Sequence, residues 1–559
     1  MRFFRRKKNT SNKLEEPKQK VDYDKNYEKP ETYKQADVKK RIDVAKEQDP
    51  KANIIETNIK DIKISPYIDL NIERLKDAFE DCQDVVYKEL VIGEKLDKKL
   101  TLVYIDGLVN TDTIAENVTK ALMHEIRLTN PQGIVGNLYE TIKKASISAT
   151  EMKDVDFLEQ VIDSVLEGDT ALFVDGYDQT MIIGSRGWES RGLQEPASEA
   201  LVRGPRDGFN ETLKTNLTLV RRRVRDTKLK VKMMKIGRRS KTDIALLYID
   251  DIVDKRIVKE VEQRLSRIDT DCILESGNIE GFIEDDNYSI FPQIENTERP
   301  DTVASSLYEG RVAIMVDNTP FALMIPMNLN TMFISAEDYY ERWVATFIIR
   351  PIRYLAAITT TLAPALYIAV TSFHPGILPT RLALHIASSR ALVPFPAFLE
   401  AFMMILTVEF LRESGTRISG PIGTTIGVVG GLVIGQSAVE AGLVAPIMVI
   451  ITALTTVAIF MIPNYSFNVP LRIINFMMMF LASVLGLYGI ILGVLGLAIH
   501  LCTLTCYGVP YFAPFGVMGK ETRDLQDSII RSPISRMKHR PHYGYIKDQR
   551  RTSEHTRED

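Results

Sequence analysis

At 559 residues the chain has room for several domains, and its formal net charge of −3 conceals a steep segregation. Residues 1–60 carry 17 Lys and Arg against 11 Asp and Glu, whereas the 47 residues from Ile473 to Gly519 carry none of the four. That contrast excludes a uniformly soluble chain, and four cysteines (Cys82, Cys272, Cys502 and Cys506) at scattered positions imply no disulfide framework.

The first 65 residues are rich in Lys, Glu, Asp and Gln, too polar to bury a core, and read as a flexible charged tail. Its start, MRFFRRKK, is basic, but no apolar stretch follows as a signal peptide requires, so the soluble part is expected to stay cytoplasmic. The basic start either touches anionic lipid headgroups or is simply solvated.

An internal repeat organises residues 66–335. KLTLVYIDGLVNTDTIAENV, from Lys99, lies over TDIALLYIDDIVDKRIVKEV, from Thr242, with Asp106 on Asp250. LEGDTALFVDG, from Leu166, lies over YEGRVAIMVDN, from Tyr308, with Gly168 on Gly310 and Asp175 on Asp317. The offset is close to 144 residues throughout. Leu102 to Ile105 and Ala245 to Ile249 read as buried strands. Each precedes a helical pattern: Ile114, Val118, Leu122 and Ile126 in one copy, Ile257, Val261 and Leu265 in the other. Two α/β modules are expected, 66–200 and 201–335. Asp106 and Asp250 read as caps or turn acceptors.

Between the matched strands lies a stretch dense in Arg and Gly. In RGPRDGF, Arg203 and Arg206 offer guanidinium forks that suit an anion, although the loop lacks the spacing of a phosphate-binding Walker loop. Arg221, Arg222, Arg223 and Arg225 end a helical pattern and point to interdomain or intersubunit salt bridges, or to a solvated face. Nucleic acid is not an expected partner.

The stretch 336–353 is expected to be a juxtamembrane coupling helix. Tyr340, Trp343, Val344 and Phe347 share one face at i, i+3, i+4 and i+7, with Arg350 and Arg353 held at the cytoplasmic side as the chain enters the bilayer. An ordinary juxtamembrane helix fits the same pattern.

Residues 354–519 are expected to form an all-α polytopic membrane domain of about five to six helices. Tyr354 to Thr380 carries no Asp, Glu, Lys or Arg and is long enough to cross a bilayer, with Pro364 near its middle as a hinge or an architectural kink. A second span, from Phe395 to Leu411, contains Glu400 and Glu409. A charge at a helix centre costs about 2.5 to 3.5 kcal/mol, so such carboxylates face water or a partner; Glu409 has Arg412 within a turn. Ile418 to Val439 is a glycine-rich packing helix, and Ala441 to Leu471 supplies another span. Ile473 to Gly519 would reach about 70 Å as one helix and must turn back, with Gly486, Gly489, Gly493 and Gly496 as places to bend. Residues 520–559 form a basic tail, which the positive-inside rule puts in the cytoplasm, giving an even number of crossings.

The repeated YID strands, RGPRDGF with TNLTLVRRR, EGRVAIMVDNTPFALMIP, and YERW followed by IRPIRYLA together resemble the A subunit of GerA-type spore germinant receptors, over about residues 66–520. The resemblance implies residence in the inner membrane of bacterial spores beside a transporter-like B subunit and a lipoprotein C subunit. It also implies response to nutrients and assembly of the chain with itself into an ion-conducting ring. The leading reading is thus a germinant-gated channel subunit, with Pro364, Glu400 and Glu409 as pore or gating candidates and Trp343, Arg350 and Arg353 as coupling candidates. A non-conducting relay, a secondary transporter and a sporulation-stage paralogue are the alternatives. The repeat lies in the soluble half, which counts against a transporter. No nucleophile–base pair, metal cluster or phosphate loop stands out, so neither catalysis nor a cofactor is expected; Cys502 and Cys506, at i and i+4, read as packing residues.

Overall fold

The computed structural model describes residues 62–92, 98–114, 139, 151–187, 195–196, 198–417, 431, 433–516, 524–541 and 546–552. The charged tail, the helical pattern from Val118 to Ile126 and most of the glycine-rich stretch from Ile418 lie outside them.

The first module contains α1 (Ile68–Ala78), β1 (Val85–Ile92), β2 (Lys98–Ile105), β3 (Met152–Val155), α2 (Leu158–Glu167), β4 (Thr170–Val174) and β5 (Thr180–Ile183). The second contains α3 (Leu213–Arg221), β6 (Leu229–Ile236), β7 (Thr242–Ile249), α4 (Lys255–Arg267), α5 (Ser276–Ile283), β8 (Glu295–Thr297), α6 (Pro300–Tyr308), β9 (Val312–Val316) and β10 (Ala322–Ile325). Both sheets have five strands in the same order, β1-β2-β4-β5-β3 and β6-β7-β9-β10-β8. The offset falls from 145 residues at the first helices (Ile68 to Leu213) to 142 at the last strands (Thr180 to Ala322). All pairings within these sheets are antiparallel, which refines the α/β expectation: the two modules are antiparallel sheets carrying helices. Strand direction is set by which strands become neighbours, and hydrophobic pattern does not encode that.

Likeness extends to single side chains. Asn71 accepts from the Ser65 amide at 3.0 Å and donates to its carbonyl at 2.6 Å; Asn216 does the same to Asn210 at 2.9 and 2.6 Å. Asp175 accepts from the Ile68 amide at 3.5 Å and Asp317 from the Leu213 amide at 3.1 Å, so each caps the opening helix of its module. Gly168 and Gly310 follow α2 and α6 with φ of +98° and +76°, the left-handed conformation in which a Cβ is strained.

In β7 successive residues serve two cores. Ala245, Leu247 and Ile249 pack with α3 and α6, whereas Ile244, Leu246 and Tyr248 face α4 and α5. A strand buried on both faces must be apolar without interruption, which is why it reads as a continuous run.

The helical region contains α7 (Glu337–Tyr340), α8 (Trp343–Ser372), α9 (Thr380–Arg390), α10 (Ala397–Arg417), α11 (Pro446–Ile459) and α12 (Asn468–Thr503). Among the described residues, two helices are long and apolar enough to cross a membrane, Trp343–Ser372 and Tyr465–Thr503; Pro446–Ile459 is a shorter apolar helix. The five to six membrane helices expected from sequence are therefore not all recovered by length and composition. α12 breaks at Gly486, with φ +64° and ψ −140°. A Cβ on Gly493 would lie 2.6 Å from Met478 Sδ, although 15 residues of straight helix span about 22 Å, so the two halves of α12 fold back on each other. The bend lies against Phe373 and His374 just past α8. Both ends of the hairpin meet the second module: Ser466 Oγ is 3.3 Å from Asn296 Oδ1, and His500 Nε2 is 3.2 Å from Ser289 Oγ.

Beyond α12 the chain makes a small hairpin, β11 (Thr505–Cys506) with β12 (Val509–Pro510), and then returns along the second module. Ile546 is buried in that module's core, the Lys547 amide donates to the Ile252 carbonyl at 3.1 Å, and Arg551 pairs with Glu309 at 2.6 Å. The segment read as a basic tail is, where described, a strap across the module.

Candidate functional site: the junction beneath the first long helix

The expected coupling helix is interrupted. α7 stops at Tyr340 and α8 starts at Trp343, because Glu341 and Arg342 are extended, with ψ of 168° and 137°. The carbonyls that would have continued the first helix are taken elsewhere. Thr346 Oγ1 donates to the Asp338 carbonyl at 3.0 Å, and Arg531 donates to the carbonyls of Asp338 and Glu341. Tyr340 consequently leaves the face it was expected to share and donates to Asp301 Oδ2 at 2.5 Å. Trp343, Val344 and Phe347 stay exposed on α8.

Below α8, charges from three separate parts of the chain converge. Arg350, wholly buried, donates from Nε to Asp338 Oδ2 at 2.9 Å and from Nη1 to Asp527 Oδ1 at 2.6 Å. Arg353 donates from Nη1 to the same Asp338 oxygen and to the Phe333 carbonyl, both at 2.8 Å. Tyr339 donates to Asp527 Oδ2 at 2.6 Å, and the guanidiniums of Arg350 and Arg531 lie 5.6 and 5.2 Å from its ring centre. Arg350 and Arg353 thus share the two aspartate carboxylates while backbone carbonyls hold Arg531, and Arg350 Nη2 and Arg531 Nε are buried without an acceptor. Burial, opposed by nearby Asp527 and Asp338, lowers the Arg531 pKa, and burial with Asp527 alongside holds Tyr339 well above the ordinary phenol range. Losing either aspartate would leave a buried cation short of a partner.

Aromatic packing ties the same place to the second module. Phe333 stacks on Tyr354 at 4.0 Å, and Phe291 lies about 6 Å from Phe467, His500 and Tyr511. Tyr511 donates to the Pro292 carbonyl at 2.9 Å and Cys506 Sγ to the Gln293 carbonyl at 2.9 Å. Apolar burial is continuous from Ile244 and Leu246 of the sheet to Ala365, Met404, Met448 and Met478 among the helices.

The remaining sequence candidates disperse. Arg221, 1% exposed, binds Asp84 of the first module through Nε at 2.7 Å and Nη2 at 2.8 Å, joining the two modules. Arg223 grips Asp207 with Nη2 at 2.7 and 2.6 Å, pinning the RGPRDGF loop, while Arg222 is half-buried. Arg203 and Arg206 are exposed. Pro364 is buried within α8. Glu400 is wholly buried at the start of α10, accepting from the Ala445 amide at 2.7 Å with Arg390 Nε 3.5 Å away. Glu409 lies between Arg412 at 2.8 Å and Arg472 at 3.1 Å, on a small cavity shared with Thr360, Thr455 and Asn475. Among the described residues no group of three His, Cys, Asp or Glu is placed to hold a metal ion.

Sequence reading missed Asp338, Asp527, Arg531 and Asp84. Asp338 and Arg350, at i and i+12 across a broken helix, give no periodic signal, and Asp527 is 177 residues from Arg350.

Comparison with known proteins gives a consistent answer. The family described as Bacillus/Clostridium GerA spore germination protein matches residues 73–543. Spore germination protein GerLA of Bacillus cereus is 41% identical over 477 residues, 85% of this chain and 95% of that protein. Spore germination protein KA of Bacillus subtilis is 41% identical over 472 residues, 84% of this chain and 86% of that one. A crystal structure of the N-terminal domain of the A subunit of the Bacillus megaterium spore germinant receptor GerK3 is 32% identical, with TM-score 0.38, covering 47% of this chain and 95% of that one. The chain belongs to the GerA family of spore germination proteins.

Proposed function

We propose that this chain is the A subunit of a nutrient germinant receptor in the spore inner membrane, and that copies of it form a ring that releases cations when germinant is sensed. In this reading the helical region crosses the membrane an even number of times, with the modules and the C-terminal strap on the cytoplasmic side. It works beside a transporter-like B subunit and a lipoprotein C subunit. The chain is a germination protein and not an enzyme. One observation carries the signalling role: Arg350, on the first long helix, is locked by Asp338 and Asp527 to the two segments that pack on the second module. A displacement of the module cannot be absorbed at a flexible linker and is passed to α8.

Glu400 and Pro364 are the gating candidates. Glu400 is buried within its own helix bundle, so conduction through it requires that the bundle open. Potassium efflux from spores carrying Glu400→Gln tests this: slower efflux at normal protein abundance supports it. Normal efflux makes Glu400 a structural carboxylate and moves the pore to another helix. A non-conducting relay is the second reading, favoured by Glu409, which two arginines already neutralise inside one subunit. Ion flux from liposomes holding the purified chain separates the two, since a relay conducts nothing alone.

A further inference from the structure

The C-terminal strap lines an open cavity of about 230 Å³ just below the junction. Its basic lining is Arg536, Lys538, His539, Arg540 and Arg551, with a single carboxylate, Asp527. That carboxylate is already engaged, one oxygen by Arg350 at 2.6 Å and the other by the Tyr339 hydroxyl at 2.6 Å. Two of the cations are fixed in place. Arg540 donates to Asp548 Oδ2 and to the Tyr308 carbonyl, both at 2.7 Å, and Arg551 donates to Glu309 Oε1 at 2.6 Å. Arg536 is exposed and has no ion-pair partner among the described residues.

Asp548 and Glu309 offset the charge of Arg540 and Arg551 but fix both guanidiniums, and with Asp527 spent on Arg350 and Tyr339 the basic excess at the cavity comes from Arg536, Lys538 and His539, a donor set suited to a phosphate group. We propose that this cavity binds a phosphate-bearing ligand. The cavity has room for a phosphate with a small substituent. Two sources supply that chemistry: an anionic lipid headgroup at the surface where α8 begins, and a free phosphate or phosphate ester. Because Asp527 forms both a wall of the cavity and a ligand of Arg350, bound phosphate adds negative charge beside the carboxylate that holds the first helix. Occupancy therefore biases the junction.

The test uses the full chain and does not depend on ion conduction. Inorganic phosphate is titrated in detergent against chloride at matched ionic strength, with calorimetric binding and the thermal midpoint as readouts. In parallel the chain is placed in nanodiscs of phosphatidylglycerol or of phosphatidylcholine, and the midpoint is compared. The variant is Arg536→Gln with Lys538→Gln; Arg536→Gln alone serves if the double variant is unstable without ligand. Free phosphate binding the wild type at least tenfold more tightly than the variant supports a soluble ligand. A midpoint raised by phosphatidylglycerol over phosphatidylcholine in the wild type and not in the variant supports a lipid headgroup. If neither probe distinguishes wild type from variant, the proposal is overturned.

Discussion

Asp84 and Arg221 join the modules at a point where both partners are buried, 137 residues apart in sequence. Removing one member of a buried pair leaves the other charged in a poorly solvated place, at a cost of about 3 to 5 kcal/mol. Asp84→Ala is expected to lower the thermal midpoint of the first cooperative transition more than Arg203→Ala, an exposed control; equal midpoints would remove the bridge from the energetics. Glu280 behaves differently. Burial, with Glu284 and Glu275 nearby, pushes its carboxyl up to about 7. A raised acid favours the protonated folded state, so this contribution is intact below the usual carboxylate range and is lost as pH climbs through about 7. Stability should decline between pH 5 and 8, and Glu280→Gln should flatten that slope; an unchanged slope in calorimetry would assign it to other groups.

Among the elements, α12 depends on one glycine. A Cβ at Gly486 would meet Phe373 Cγ at 2.9 Å on a backbone with φ +64°, so both space and conformation oppose a side chain. Gly486→Val is expected to spoil the hairpin and deplete the protein from membranes, whereas Gly496→Ala, where a Cβ meets nothing within 4 Å, should be tolerated. Immunoblots of membrane fractions decide this. The break between α7 and α8 raises a separate matter, because Arg531 and Thr346 satisfy the carbonyls left open there. Arg350→Gln keeps hydrogen bonding but removes the charge that binds both aspartates. We expect reduced abundance, since two aspartates lose a buried partner, and a raised germinant threshold in a germination assay at matched protein level; an unchanged threshold would deny the junction a part in signalling.

For the whole molecule, the path out of the helices matters most. Arg350 and Asp527 meet, so the chain enters and leaves the helical region at one end, and the strap lies on the side of the modules. Asp548→Cys, made without the exposed Cys272 and Cys502, should react with a membrane-impermeant thiol reagent only after the membrane is opened. Labelling of intact cells would put the strap and the modules outside. Continuous apolar burial from the second sheet to the helices also means that the module and its adjoining helices should unfold together.

Much of this architecture was legible in sequence because it is local or repeated. The duplication at an offset near 144 residues, the buried strands and the two long apolar helices follow from hydrophobic pattern and composition, which act on neighbours along the chain. The need for Ile473 to Gly519 to turn back was legible too, since length alone required it; that Gly486 is where it turns was decided by packing against Phe373. The antiparallel direction of the strands, the break after Tyr340 and the strap formed by the last described residues were not legible. Each depends on partners brought together only by folding: Leu102 to Leu172 across neighbouring strands, Arg531 to the Glu341 carbonyl, Ile546 to the core of the second module. A sequence shows that such charges exist and what each would cost if buried alone, and only the tertiary structure chooses which opposite charge relieves it.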